Sequence, residues 1–181
     1  MNTKGSVLVF MVICSAVIAA LGVSILSTAM IQYNIKRTNT EARQAFYMAE
    51  TGLNEAFSEA YILVIEARNF SKSKAEEYLV SFPEDEAGAE SVFSANFKSY
   101  ILSNFKGRVE SSSNPAVAVT NTVLIFYGDC LTANLRSVFS AEKIDRKIDA
   151  QIVILVPTFS SISSETFKAE DYVKFANWTN Y

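Results

Sequence analysis

Residues able to carry out chemistry are few in this chain. It has no histidine and two cysteines, so the commonest catalytic base and the commonest transition-metal ligand are missing. Cys14 lies in an apolar run and Cys130 beside a predicted turn, so we expect no disulfide between them. The sequence has no glycine-rich phosphate loop and no Cys-x-x-Cys pair. We therefore predict that the protein is not an enzyme and that it uses no cofactor or metal.

Two charge clusters remain as candidate sites. Glu84-Asp85-Glu86 lacks the regularly spaced oxygen ligands of a calcium loop, so we interpret it as a solvated acidic loop. We interpret Asp145-Arg146-Lys147, which lies at a predicted turn, as an ordinary surface charge cluster. The net charge is −3, whereas nucleic-acid binding usually needs a basic patch. We therefore expect no nucleic-acid partner.

The dominant element is an apolar run from Val7 to Ile31, with no charge between Lys4 and Lys36. As a helix it would be about 37 Å long, which is enough to cross a hydrocarbon core of about 30 Å with some tilt. Basic residues flank the run on both sides, so the positive-inside signal for its orientation is ambiguous. A cleaved secretory signal ending near Ser27-Thr28-Ala29 is the alternative, but the run is longer than such signals need.

The helical pattern continues past the run. Apolar residues recur every three or four positions, as expected for one buried stripe: Ala42, Ala45, Phe46, Ala49, Leu53, Ala56, Phe57, Ala60, Leu63 and Val64. The pattern predicts one long helix, whose first part (6–35) is a membrane anchor or filament core. Its second part (36–66) is the spine of an extracytoplasmic domain that covers 36–181.

The leader resembles that of type IV prepilins, in which a short basic segment ends in glycine directly before the apolar helix. Lys4-Gly5-Ser6 has this form. The resemblance implies that residues 1–5 are a leader, that a prepilin peptidase cuts between Gly5 and Ser6, and that the new Ser6 amine is methylated. The block Ala45-Phe-Tyr-Met-Ala-Glu-Thr-Gly52 is similar to the corresponding segment of PilX-type minor pilins. Together these features cover about the first third of the chain.

One position departs from the pattern of most major pilins. They carry a glutamate at the fifth residue after the cleavage point, and it is thought to pair with the N-terminal amine of a neighbouring subunit. Here that residue is Phe10. An unpaired charge in lipid is costly, so a subunit without one need not dock beneath another. As in K-type pseudopilins, this favours initiation of assembly or a place at the filament tip.

Gly22 interrupts the anchor and lies near Ser24 and Ser27. Glycine and hydroxyl side chains weaken a helix and allow a kink or local melting. Small residues equally allow two helices to approach closely. The sequence leaves both interpretations of Gly22 open.

Between the spine and the sheet we predict a helical insertion at 70–107. The spine should end near Arg68-Asn69, and Ser73 should cap a short helix that stops before Pro83. A second helix should run from about Ala89 to Phe105 and end at Lys106-Gly107. Its aromatic stripe is interpreted as core.

The remaining chain has strand character. The pattern predicts three strands of an antiparallel meander within 115–157: Ala116–Tyr127, Leu131–Ala141 and Ile148–Pro157. Turns are predicted at Gly128-Asp129 and Glu142–Asp145. In 158–181 we predict a polar loop and an edge strand at Asp171–Trp178. The fold class is therefore α+β, a long helix packed on a sheet of three or four antiparallel strands, which is also the pilin architecture.

Two functions fit these patterns. The first is a minor pilin or pseudopilin of a type IV pilus or a type II secretion-like filament. Its implied partners are other pilins, which it contacts through the N-terminal helix, the prepilin peptidase, the inner-membrane assembly platform and membrane lipid. It would start as a single-pass membrane protein and end at the cell surface. The second is an unprocessed, membrane-anchored extracytoplasmic binding or sensing module. The state of the N-terminus distinguishes them.

Overall fold

The computed structural model describes residues 3–141, 144–162 and 167–180. Its elements are α1 (Thr3–Ser81), α2 (Glu86–Val109), β1 (Ala116–Val119), β2 (Phe126–Tyr127), β3 (Cys130–Ala141), β4 (Ile144–Leu155), α3 (Phe159–Ile162), a 3₁₀ turn (Ala169–Asp171) and β5 (Val173–Asn180). The fold is α+β, with a long N-terminal helix and an antiparallel sheet. The predicted class is confirmed.

The chain divides into two compact units, Met1–Arg43 and Gln44–Tyr181. The large apolar side chains between Val7 and Ile35 are exposed, and Ala45 is the first described side chain of α1 that is buried. The second unit begins at Gln44 because the packed stripe of α1 begins only at Ala45. The division of the chain at 35/36 into a membrane anchor and an extracytoplasmic domain remains a prediction.

The sheet has the strand order β1-β3-β4-β5, with β2 paired on β3. Along β3 and β4 the buried positions alternate, and the register sets them opposite one another, as in Leu131↔Ile154 and Ala133↔Ile152. Side chains of alternate residues share one sheet face. One face of the sheet is therefore apolar and covered, and the other is polar and accessible.

The covered face packs against both helices. The α1 residues buried in this core are Ala45, Ala49, Leu53, Ala56, Ala60, Leu63, Val64, Ala67 and Ala75. Phe57 of α1 stacks on Phe175 of β5 with ring centroids 4.6 Å apart. From α2, Phe93, Phe97, Ile101 and Phe105 are fully buried, which confirms that its aromatic stripe is core.

The predicted end of the spine at Arg68-Asn69 is wrong, because α1 continues without interruption to Ser81. The polar stretch near Ser71 continues the buried stripe instead of breaking it. Ser71 is fully buried, and its hydroxyl donates to the carbonyl of Ala67 at 2.7 Å. Lys74 pairs with Glu77 at 2.8 Å on the exposed side. Ser73 therefore lies inside the helix and caps nothing.

Helix α2 is longer than predicted at both ends. Asp85, assigned to a loose acidic loop, is its N-cap and accepts a hydrogen bond from the Gly88 amide at 2.8 Å. At the other end Gly107 does not stop the helix, which runs on to Val109. Val109 is buried, and burial of this last turn outweighs the cost of about 1 kcal/mol for a helical glycine.

The predicted strand Ala116–Tyr127 is interrupted, since pairing is limited to β1 and the two residues of β2. Asn121 explains the break: its side-chain oxygen accepts from the Asn134 amide, and its side-chain nitrogen donates to the Thr132 carbonyl. The asparagine thus occupies the hydrogen-bonding groups of β3 that a longer β1 would use. The segment beyond it leaves Val123 and Ile125 exposed.

The predicted second and third strands and the final edge strand are confirmed as β3, β4 and β5. Strand β4 begins at Ile144 instead of Ile148, so Ile144 and Asp145 of the predicted turn belong to the strand. The turn at Gly128 is also confirmed, and Gly128 has a φ of 63°, a value that glycine adopts without strain. Phe159–Ile162 of the predicted polar loop is a short helix. Residues 163–166 of that loop and Glu142 and Lys143 of the predicted turn lie outside the described residues.

Candidate functional site

The apolar segment of α1 is the first candidate functional surface. Among the described residues, α1 is the one helix that is long and apolar enough to cross a membrane, and none of its most apolar stretch is buried. Isolated exposed apolar residues are common, but a continuous apolar surface of this length indicates a lipid or protein environment. The segment fits a membrane anchor.

Two hydroxyl side chains inside this segment are satisfied by the helix itself. Ser15 donates to the Val12 carbonyl at 2.9 Å, and Thr28 donates to the Ser24 carbonyl at 3.0 Å. A polar group without a partner costs several kcal/mol in hydrocarbon. These back-bonds let the segment carry these two hydroxyl groups in an apolar environment.

The predicted processing and assembly residues all lie on α1. Gly5 and Ser6 lie within its first turns. Phe10 is 68% exposed, as are its large apolar neighbours. Helix α1 continues through Gly22, and nothing lies within 4 Å of the place where a Cβ on Gly22 would stand. Cleavage, tip placement and the two interpretations of Gly22 remain predictions.

The block from Ala45 to Gly52 is a part of α1 that packs against the sheet. Ala45 and Ala49 are buried, and Tyr47 is 63% exposed. A Cβ on Gly52 would lie 2.8 Å from the hydroxyl of Ser137 and 2.9 Å from Cγ of Pro115. The last residue of the block is therefore glycine at a point where α1 approaches the sheet too closely for a side chain. The sequence alone gave no sign of which surface Gly52 meets.

Polar side chains follow the apolar segment on α1. Tyr33, Lys36, Arg37, Thr40 and Glu41 line one concave surface of about 400 Å³. The Nε of Arg37 donates to a carboxylate oxygen of Glu41 at 2.7 Å. This hydrogen bond and the Glu41 charge raise the pKa of Arg37, so the guanidinium stays charged. We call these five residues the membrane-edge stripe.

The open face of the sheet carries a second, polar concavity of about 300 Å³. Its lining residues come from β3, β4, β5 and Thr120 directly after β1, and include Asn134, Gln151, Asn177 and Thr179. Asn177 donates to the Gln151 side chain at 2.6 Å. We call this concavity the sheet groove. Alternation of polar residues along three strands was its only sequence signal.

A bidentate ion pair borders the sheet groove. Arg136 on β3 lies opposite Asp149 on β4, and its Nε and one terminal nitrogen donate to the two carboxylate oxygens at 2.7 and 2.8 Å. The hydrogen bond from Arg136 holds the pKa of Asp149 below its ordinary value of 3.8, although partial burial opposes this. Such fork-to-fork pairs are stronger than single contacts.

The Asp149 pair predicts a pH-dependent contribution to stability. A carboxyl whose pKa is lower in the folded state stabilises the fold above its unfolded pKa, and this contribution is lost as pH falls through the folded value. We therefore expect wild type and Asp149→Asn to differ most above about pH 5 and to converge towards about pH 2. Urea unfolding at a series of pH values measures this.

Asp145→Asn is the matched control, because Asp145 lies exposed on the same strand. It removes the same charge without removing the bidentate pair. A constant difference between wild type and Asp149→Asn across this pH range would contradict the prediction.

The remaining candidate groups are Asp85, which has a structural role, and the two cysteines, which form no disulfide. Asp85 also accepts a hydrogen bond from the Tyr78 hydroxyl at 2.7 Å, so it ties the end of α1 to the start of α2. Both cysteines are free thiols. Within the described ranges, no three His, Cys, Asp or Glu side chains come together as metal ligands would.

Comparisons with protein-family models, with curated proteins and with solved structures found no match.

Proposed function

We propose that this chain is a pilin-like structural subunit, a minor pilin or pseudopilin of a type IV pilus or a type II secretion-like filament. In this proposal residues 1–5 are removed by a prepilin peptidase at the Gly5–Ser6 bond. The apolar part of α1 first anchors the subunit in the membrane and then packs among the corresponding helices of its neighbours. An inner-membrane assembly platform drives the transfer.

The observation that carries the proposal is the difference in burial between the two parts of α1. Its apolar segment is exposed all round, whereas from Ala45 onwards one stripe of the same helix is buried in the core beneath the sheet. A helix that serves two environments in this way suits a subunit that exchanges lipid contacts for contacts with other helices. The prepilin-like leader and the 45–52 block support the same function from the sequence.

Phe10 places the subunit at the tip or at the start of assembly in this proposal. A phenylalanine there carries no charge that a neighbour's N-terminal amine would have to neutralise. Phe10→Glu should therefore shift the subunit towards internal filament positions, which immunogold labelling of sheared filaments would measure. Phe10→Leu is the control, since it stays apolar, and equal labelling of both variants would count against the tip assignment.

The sheet groove favours the second candidate function, an anchored binding or sensing module. Amide and hydroxyl side chains converge there on the accessible face of the sheet. Such a module would keep its leader and remain in the membrane. Both candidates use the same anchor, so the N-terminus decides between them.

The decisive experiment is the intact mass of the membrane-extracted protein, made in cells with and without a prepilin peptidase. We expect loss of residues 1–5 and one added methyl group only where the peptidase is present. Gly5→Leu should block cleavage, whereas Gly22→Ala, which also removes a glycine from α1, should be cleaved normally. An intact leader in both cell types would rule out the pilin function and favour the anchored module.

A further inference from the structure

The membrane-edge stripe lies on one side of α1. Its members stand at 33, 36/37 and 40/41 on successive turns, three or four residues apart from turn to turn, which sets them on one helix face. The structure gathers them around one concavity. Tyr33 is 67% exposed, and no side chain outside the stripe lines this surface among the described residues. The stripe is a composite surface of an aromatic ring, two cations, a hydroxyl and one carboxylate.

The depth of this surface follows from the helix rise. Ile31 ends the apolar run, and Lys36 and Arg37 follow five and six residues later. At about 1.5 Å per residue these residues lie about 7–9 Å beyond the end of the run. The polar layer of a bilayer leaflet is about 5–8 Å thick. When the run spans the hydrocarbon, the backbone at Lys36 and Arg37 therefore lies near the outer edge of this layer, within side-chain reach of the lipid phosphates, and Tyr33 lies at the hydrocarbon boundary that tyrosine prefers.

The hydrogen bonds of the stripe leave its two cations available to bind an anion. Arg37 uses its Nε for Glu41, and among the described residues its terminal nitrogens have no partner. The Glu41 carboxylate thus orients the guanidinium, and the terminal pair of nitrogens matches two phosphate oxygens. Lys36 makes no ion pair within the described chain, and its backbone carbonyl accepts from the Thr40 hydroxyl at 2.9 Å. Even with Glu41 counted, the stripe carries one net positive charge.

We propose that the membrane-edge stripe binds the headgroup of an anionic phospholipid in the leaflet at the carboxyl end of the span. Lys36 and Arg37 contact the phosphate, and Tyr33 packs beside the acyl chains where they meet the headgroups. This contact holds α1 at a fixed depth, and any step that withdraws the helix from the membrane must break it. The inference needs the membrane span but not cleavage of the leader.

A protein partner is the competing explanation for these cations, since an acidic group on another subunit would also pair with them. The lipid is favoured because the stripe begins within two residues of the apolar run, and its two cations follow within reach of the phosphate layer. Each basic residue near an anionic surface is expected to strengthen binding roughly fivefold.

The test uses the full chain in nanodiscs made of equal amounts of phosphatidylglycerol and phosphatidylcholine. After mild extraction, native mass spectrometry counts the phospholipids that stay bound. Wild type should retain phosphatidylglycerol in preference to phosphatidylcholine. Lys36→Gln/Arg37→Gln should reduce this preference by roughly tenfold or more, and added salt should reduce it in wild type.

Lys72→Gln/Lys74→Gln is the matched control. It removes two positive charges from the same helix, but at residues that already pair with Glu76 and Glu77. The control should retain lipid as wild type does. No preference in wild type, or equal loss in both double variants, would overturn the proposal.

The same spectra report the N-terminal mass, so the two proposals fail separately. If the leader is uncut but phosphatidylglycerol is still retained selectively, the headgroup site is supported and the pilin function is not. The Lys36→Gln/Arg37→Gln variant could instead retain lipid normally but fail to assemble into filaments. That result would assign the two cations to a protein partner and overturn the lipid proposal.

Discussion

Replacing Phe97 by alanine should lower the free energy of unfolding by about 3–5 kcal/mol. The Phe97 ring is fully buried at the centre of α2, and its centroid lies 6.1 Å from that of Phe93. Truncation removes the apolar area of the ring and leaves a cavity that two helices and a sheet cannot fill without moving. Loss of this magnitude is a large fraction of the stability of a typical domain.

Urea unfolding of the full chain in detergent measures this effect, with Trp178 fluorescence as the reporter. Trp178 packs edge-to-face on Phe175 with centroids 5.4 Å apart, and Phe175 stacks on Phe57 of α1. Its emission therefore reports whether β5 remains packed on the helix. Leu102→Ala is the matched control, because Leu102 lies on the same helix but is 39% exposed. A similar loss in both variants would show that α2 is not buried along the Phe97 face.

Replacing Gly52 by alanine should destabilise the protein by about 1–3 kcal/mol, although alanine is the better helix former. Intrinsic propensity alone would stabilise the helix by up to about 1 kcal/mol. The added methyl group would approach the Pro115 ring and the Ser137 hydroxyl to less than 3 Å. Ser137 is fully buried, so neither neighbour moves away without disturbing the sheet. The steric cost should therefore exceed the gain in propensity.

Gly107→Ala gives the opposite expectation within the same chain. Gly107 is helical and exposed, and nothing lies within 4 Å of the place where its Cβ would stand. Only the propensity gain applies there, so we expect an increase of up to about 1 kcal/mol in the free energy of unfolding. Two substitutions of the same type should thus change stability in opposite directions. If Gly52→Ala were also stabilising, the close approach of α1 to the sheet would be contradicted.

Local periodicity was sufficient to predict most of the fold. The three-four spacing after Glu41 identified the spine, and the alternation along Leu131–Ala141 and Ile148–Pro157 identified the two long strands. Both signals follow from burial on one side of an element, and a single sequence records them directly.

The errors arose where tertiary contacts override local preference. Ser71 reads as a helix breaker, but a small hydroxyl that bonds to its own helix fits a crowded interface. Val123 and Ile125 suggest a strand, but the Asn121 side chain ends the pairing before them. The Arg136–Asp149 pair depends on strand register, which no local pattern specifies. The same holds for the candidate sites. The apolar anchor is a local pattern and was predictable, whereas the sheet groove depends on which strands pair and was not.

The two edges of the sheet have a consequence for how copies of this chain associate. At one edge β1 has four residues, and the side chain of Asn121 occupies the next hydrogen bonds of the ladder. At the other, the pairing of β5 shifts register near Asn177, which has a φ of 49°. An incoming strand needs a long, regular row of free amides and carbonyls, and in the described part of the chain neither edge provides one. The edges therefore disfavour addition of further copies by backbone pairing, and we expect an ordered polymer of this chain to be held together through side-chain contacts.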